Sequence, residues 1–374
     1  MKHQQYLIVV FLFILFLASS CKPKADPCEH DFDQTAMLTH IGTKLIVPSY
    51  EDLQVRVDAM KVAAEAFTAT PNSTNLSTLR TAWKDAWKSW QWCSIYEFGP
   101  AAEQDLRATV NNFPVNTTQL NTGIDAGTYD LSSVTYSYAN GFPALDYLLY
   151  GVASTKAAVV AMYDTDTKAA NRKQYLKDVV NQIDSKVNTV TTAWQAAGGN
   201  YVNTFSSTTG VAAGDPLNLL VNQLNANYEL AKNNKIGTPV GAKISYVIQP
   251  NKVEAYYSRI SLELAVEVTT ASRDLFLGYE NGVNGLGLDD YLAAAKAMKN
   301  GQPLEKIIED QYNLVITELN KLKPSSLHDA LTSDLEQVKA AYAAAQNQVL
   351  YTKTDMASVL CTSITYVDDV ADGD

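Results

Sequence analysis

The sequence predicts an all-α protein, two helical bundles packed together, and three observations carry that expectation. Apolar residues recur at intervals of three and four through most of the chain. Strand-type alternation is confined to the short run Ser363 to Val367. Apolar content is 47%, ample for a core and too high for a disordered chain.

The elements follow in order. Lys2 precedes an apolar run from Leu7 to Ala18, then Ser19-Ser20-Cys21. A run of about 12 residues suits the core of a signal peptide, whereas a membrane-spanning helix needs roughly 20. Leu17-Ala18-Ser19-Ser20-Cys21 resembles a bacterial lipoprotein processing site, so residues 1–20 read as a leader and Cys21 as the lipid-bearing residue. Residues 21–35 read as a polar tether, which would hold the protein at a membrane surface through its N-terminal lipid.

Beyond the tether, Leu53, Val57, Met60, Ala64 and Phe67 form one stripe, closed by Pro71. Leu76, Leu79, Trp83, Trp87 and Trp90 share the face of a second helix that stops at Gly99-Pro100, and three tryptophans on one stripe read as core. Residues 111–140 are rich in Thr, Asn, Gly and Tyr and predict a long loop with some short helix. A helix begins near Gly141, and another runs from Lys168 to Gln195. The Gly- and Ser-rich stretch from Ala196 to Gly214 separates a bundle over 36–200 from one over 210–374. Asp215-Pro216 restarts a helix that continues to about Lys235. Helices are then expected over Asn251 to Leu277, over Asp289 to Lys299, through Leu304 to Leu322, and through Leu327 to Val349.

Charge and cysteine content narrow the function. A net charge of −11 and an isoelectric point near 4.9 disfavour nucleic acid and anionic lipid heads as partners. Besides Cys21 there are Cys28, Cys93 and Cys361, with no Cys-x-x-Cys, so at most one disulfide forms within the chain. Cys93 lies on an apolar face and reads as a buried thiol.

The stretch Gly141-Phe142-Pro143-Ala144-Leu145-Asp146-Tyr147-Leu148-Leu149 places Pro143 in a first helical turn and Asp146 beside packed leucines. It resembles the signature of the imelysin-like family, Gly-x-His-x-x-Glu followed by a leucine pair, with Pro143 in place of the His and Asp146 in place of the Glu. Three further landmarks are similar to that family in the same order. They are Ala82-Trp83 through Phe98-Gly99-Pro100, with Ser94 where the family commonly has Glu; Glu254-x-x-x-Ser258 with Arg259; and the closing Asp372-Gly373-Asp374. The resemblance implies two helical bundles related by an approximate internal repeat. It also implies a bacterial cell-envelope protein connected with iron acquisition, partnered by an outer-membrane transporter, or alternatively a metallopeptidase with the signature His and Glu as metal ligands.

The residues themselves favour binding over catalysis. The mature chain has only His30, His40 and His328, none at metal-ligand spacing, and all three read as surface residues; a zinc peptidase takes two or three imidazoles. No Gly-x-Ser-x-Gly or phosphate loop occurs. Asp146, Glu254, Asp372 and Asp374 could offer oxygen to iron or another divalent cation, with Ser258 and Arg259 positioning the facing segment. The simpler reading gives Asp146 backbone partners near its own helix start and makes Glu254 the far end of a capping box begun by Asn251. The function expected is that of a non-catalytic binding protein, with a ligand-free structural or partner-binding protein as a further alternative.

Overall fold

The computed structural model describes residues 28, 30–280, 282–323 and 325–366. Cys21 with the rest of the leader, and the closing Asp372-Gly373-Asp374, lie outside the described residues. The chain is built from helices as expected. The principal ones are α1 (Gln34–His40), α2 (Val47–Ala69), α3 (Ser73–Cys93), α4 (Gly141–Asp146), α5 (Ala169–Trp194), α6 (Pro216–Leu230), α7 (Ser261–Phe276), α8 (Leu304–Lys321) and α9 (Leu335–Val349). Strand among the described residues amounts to Met298–Lys299 paired antiparallel with Gln302–Pro303, and one isolated bridge between Glu280 and Val283. Ser363 to Tyr366 is not strand. No described helix is long and apolar enough to cross a membrane.

Local chemistry accounts for the principal starts. Asn72 caps α3, its Oδ1 accepting the N–H groups of Thr74 and Asn75 at 2.9 and 2.8 Å. Asp215 caps α6 by position, with Pro216 in the first turn where its missing N–H removes no bond. Among the described residues, four π-helical turns interrupt the helices, at Ile41–Ile46, Tyr147–Gly151, Ala231–Gly237 and Leu350–Met356.

The predicted stripes face inward. Leu53, Val57, Met60 and Phe67 of α2 and Trp83, Trp87 and Trp90 of α3 are all 0% exposed. Each such side chain contributes roughly 1.5–3 kcal/mol through burial. Helix α2 packs on α3 and α5, while α8 packs on α7 and α9. Helix α7 also lies along α3, where Lys84 pairs with Glu263 at 2.8 Å and Lys88 with Glu267 at 2.7 Å. The apolar core runs without a break through both groups of helices.

Several boundaries differ from the sequence reading. The helix expected over Asn251 to Leu277 begins only at Ser261; residues 250–252 form a 3-10 turn and 253–260 an irregular one. The capping box expected between Asn251 and Glu254 therefore does not form. The helix from Asp215 passes into a π turn at Ala231, the one near Asp289 spans Leu288–Ala294, and the run from Leu327 breaks at Asp334.

The N-terminal stretch is fastened to the far half of the molecule. Cys28 and Cys361 form a disulfide. Phe32 stacks on Tyr291 with ring centroids 4.6 Å apart, and Gln34 exchanges hydrogen bonds with Gly210. His30, His40 and His328 are half-buried rather than surface residues: their ring nitrogens meet Val359 O at 3.1 Å, Gly278 O at 2.8 Å and Asp329 Oδ1 at 2.9 Å.

Candidate functional site

Helix α4 opens on Gly141, whose φ of +73° is open to glycine and strained for other residues. A Cβ there would come within 2.3 Å of Val110 O, so this glycine also permits a close backbone approach. Asn140 caps the helix, accepting Gly141 N–H at 2.8 Å. Pro143 falls in the first turn and is buried, as are all six residues of α4. Phe142 joins the helix to the tryptophan stripe: its carbonyl accepts Trp83 Nε1–H at 3.2 Å, and its ring stacks on Trp87.

Asp146 ends α4 only 1% exposed. Its Oδ1 accepts the N–H of Ser258 and its Oδ2 the N–H of Tyr257, both at 2.9 Å. Burial raises its carboxyl to about 6, although these N–H groups and Arg259 act in the opposite direction. The partners are backbone groups, as the simpler reading held, but they lie 111 and 112 residues away rather than at the helix's own start.

The same 253–260 turn carries Glu254, which is 3% exposed. Its Oε2 accepts from Lys235 Nζ in a short ion pair, and its Oε1 accepts Asn111 Nδ2–H at 2.9 Å. Asn111 Oδ1 accepts Trp87 Nε1–H at 2.8 Å, which completes a relay from the tryptophan stripe to the ion pair. Lys235 lies on the Ala231–Gly237 π turn, where the widened turn brings a lysine 5% exposed into the interior. Burial lowers its pKa, and Glu254 opposes that shift. The Ser258 hydroxyl is buried beside the Asp146 carboxylate and favours its charged form, and Arg259, at φ +69°, places its guanidinium 4.8 Å from the centre of the Tyr256 ring.

Asn111 and Lys235 also line a cavity of about 400 Å³ bounded by the end of α3, residues 94–113 and the π turn. Ser94, where the resemblance would place a glutamate, lines it too and is 4% exposed. A carboxylate nevertheless reaches this cavity from three residues further on, at Glu97. Glu97 Oε1 accepts Arg107 N–H at 3.0 Å, and Arg107 Nη2 donates to Ser94 O at 2.5 Å. Burial raises the Glu97 carboxyl and lowers the Arg107 guanidinium, while each charge counters the other's shift.

This donor set does not fit a resident zinc or iron ion. Both Asp146 oxygens are occupied by N–H groups, and Glu254 is already neutralised by an ammonium that would repel a cation. Among the described residues, no three His, Cys, Asp or Glu side chains gather as metal ligands. Cys93 is a buried thiol, and burial pushes its pKa up, away from the reactive thiolate.

The structure thus connects Asp146, Glu254, Ser258 and Arg259 through one turn but directs the two carboxylates to different partners. Sequence reasoning missed Glu97, Arg107, Asn111, Asn227 and Lys235. One available signal was the run of four asparagines, Asn218, Asn222, Asn225 and Asn227, within one helix among apolar residues; all four are buried along α6.

Comparison with known proteins agrees with this architecture. The family model described as imelysin matches residues 46–356. Iron-regulated protein A of Synechococcus elongatus is 23% identical over 154 residues, a match spanning 41% of this chain and 38% of that protein. Two crystal structures are similar in fold. One, provisionally assigned as an iron-regulated protein A precursor from Parabacteroides distasonis ATCC 8503, has a TM-score of 0.72 at 18% identity, covering 91% of this chain and 97% of that one. The other, an imelysin-like protein from Psychrobacter arcticum 273-4, has a TM-score of 0.69 at 17% identity, covering 90% and 99%.

Proposed function

The chain belongs to the imelysin family, and we propose that within it this protein is a non-catalytic binding component of the bacterial cell envelope. In this reading a lipid on Cys21 holds it to the membrane, and it serves iron or other metal acquisition together with an outer-membrane transporter. The observation that carries the binding role is the cavity of about 400 Å³ beside the Lys235–Glu254 pair. Its size suits a small ligand, and the carboxylates of Asp146 and Glu254 are occupied by internal partners. Three further facts support the setting. The Leu17-to-Cys21 stretch has the form of a lipoprotein site. The Cys28–Cys361 disulfide suits an oxidising compartment outside the cytoplasm. Two of the similar proteins bear the name iron-regulated protein A.

The test compares wild type with Cys21→Ala in an iron-limited bacterial host lacking the native gene. Wild type is expected in the membrane fraction and restores growth on limiting iron, whereas Cys21→Ala is released in soluble form. Wild type in the soluble fraction, or growth indifferent to the gene at every iron level, overturns the reading.

A further inference from the structure

The charges around the cavity beside Lys235 are matched within the protein. Lys235 is paired with Glu254 behind it, and Glu97 and Arg107 offset one another in the wall. A cation or an anion would meet no net charge of opposite sign here, so neither would recover the cost of shedding its water. The side chains open to solvent are of another kind. Tyr138 and Leu230 line the cavity at 49% and 41% exposure, and Phe113 lines it half-buried. Among the described residues, neither the Phe113 nor the Tyr138 ring stacks on another ring. Exposed apolar side chains gathered on one concave surface mark a ligand groove. The open polar groups beside them are uncharged. Asn234 is exposed, and neither its amide nor the Tyr138 hydroxyl has a partner within the protein. Asn112, half-buried, donates its N–H groups to the carbonyls of Ala108 and Ser137 at 2.8 and 3.4 Å, which leaves its amide oxygen to accept. Rings and a leucine beside neutral hydrogen-bonding groups suit an uncharged molecule that is apolar on one side and polar along its edge.

We propose that this cavity binds a neutral saccharide, a mono- or disaccharide in pyranose form. This rests on reading the cavity as the binding site and adds the chemistry of the ligand. A pyranose ring presents a face of C–H groups, which packs on Tyr138 and Phe113, and an edge of hydroxyls. Each hydroxyl rotates to donate or accept as its surroundings require. Hydroxyls therefore serve polar groups set on three separate segments: Asn112 on the loop after α3, Tyr138 on the 3-10 turn before α4, and Asn234 on the π turn. A cavity of about 400 Å³ has room for roughly one or two such rings.

Isothermal titration of the purified mature protein tests this. The probes are glucose, galactose, mannose, N-acetylglucosamine, maltose and cellobiose, set against glucosamine, glucuronate, adenosine, and iron and zinc salts. At least one neutral saccharide should bind with a Kd of about 1 mM or tighter, and glucosamine and glucuronate about tenfold more weakly than it or worse. Tyr138→Ala, at an exposed position outside the core, should weaken that saccharide by about tenfold or more. Tyr138→Trp restores a ring and should bind within about threefold of wild type, which separates loss of the stacking face from loss of folding. The proposal fails if no neutral saccharide binds, if Tyr138→Ala binds it as wild type does, or if adenosine or a charged sugar binds more tightly. Iron or zinc bound in place of any saccharide removes this ligand class and leaves the binding role standing. Wild type that neither anchors in the membrane fraction nor restores growth on limiting iron removes the reading beneath it.

Discussion

The carboxylate of Asp146 and the backbone N–H of Ser258 are 2.9 Å apart across 112 residues of sequence. Together with Tyr257 N–H, this contact fixes the turn that carries Glu254 against helix α4. Asp146 therefore acts as a clamp on backbone.

Asp146→Ala removes the acceptor for two buried N–H groups. Each unsatisfied group costs about 1–3 kcal/mol, so urea unfolding should show a loss of roughly 2–5 kcal/mol. A loss below about 0.5 kcal/mol would mean that the 253–260 turn is held by other contacts.

Burial raises the Asp146 carboxyl to about 6, above its ordinary value of 3.8. Ionisation is therefore harder in the fold than in the unfolded chain. The contribution of Asp146 to stability is full below about pH 4 and is lost as pH rises through about 6. Asp146→Asn cannot titrate. The stability of wild type minus that of Asp146→Asn should thus be greater at pH 4 than at pH 7.5, by on the order of 3 kcal/mol. A difference that stays constant across that range contradicts the assignment.

Glu254→Gln leaves Lys235 charged and buried without its counterion. Breaking one side of such a pair costs about 3–5 kcal/mol, whereas replacing both partners by apolar residues of similar size is often close to neutral. Chemical denaturation should rank Glu254→Gln as less stable than Lys235→Met/Glu254→Leu. The reverse order would show that the pair contributes no mutual stabilisation.

Gly141→Ala sets a Cβ against the Val110 carbonyl and demands a positive φ of an alanine. Neither backbone can yield cheaply, so the loss should exceed the roughly 1 kcal/mol ordinarily gained or lost at glycine positions. A Tm equal to that of wild type would mean that α4 can start elsewhere.

Helix faces were legible in the sequence because burial imposes a local period, and the Leu53-to-Phe67 stripe and the three tryptophans needed no knowledge of the rest of the chain. The 253–260 turn shows what was not legible. Val253, Tyr257 and Ile260 keep helical spacing, so the pattern joins them to α7. In the fold, however, Tyr257 and Ser258 give their N–H groups to Asp146, and a residue so engaged cannot bond four residues back. Local periodicity has no access to a carboxylate more than a hundred residues away. The cavity was hidden for the same reason. Glu97 and Lys235 stand 138 positions apart, and each alone reads as an ordinary charged residue near a helix end.

The bond between Cys28 and Cys361 closes a loop over most of the described chain. A protease nick anywhere in between leaves the fragments covalently linked, so clipped protein should migrate as one band on a non-reducing gel and separate only with a thiol reductant. A single severed loop would then release neither half from the other.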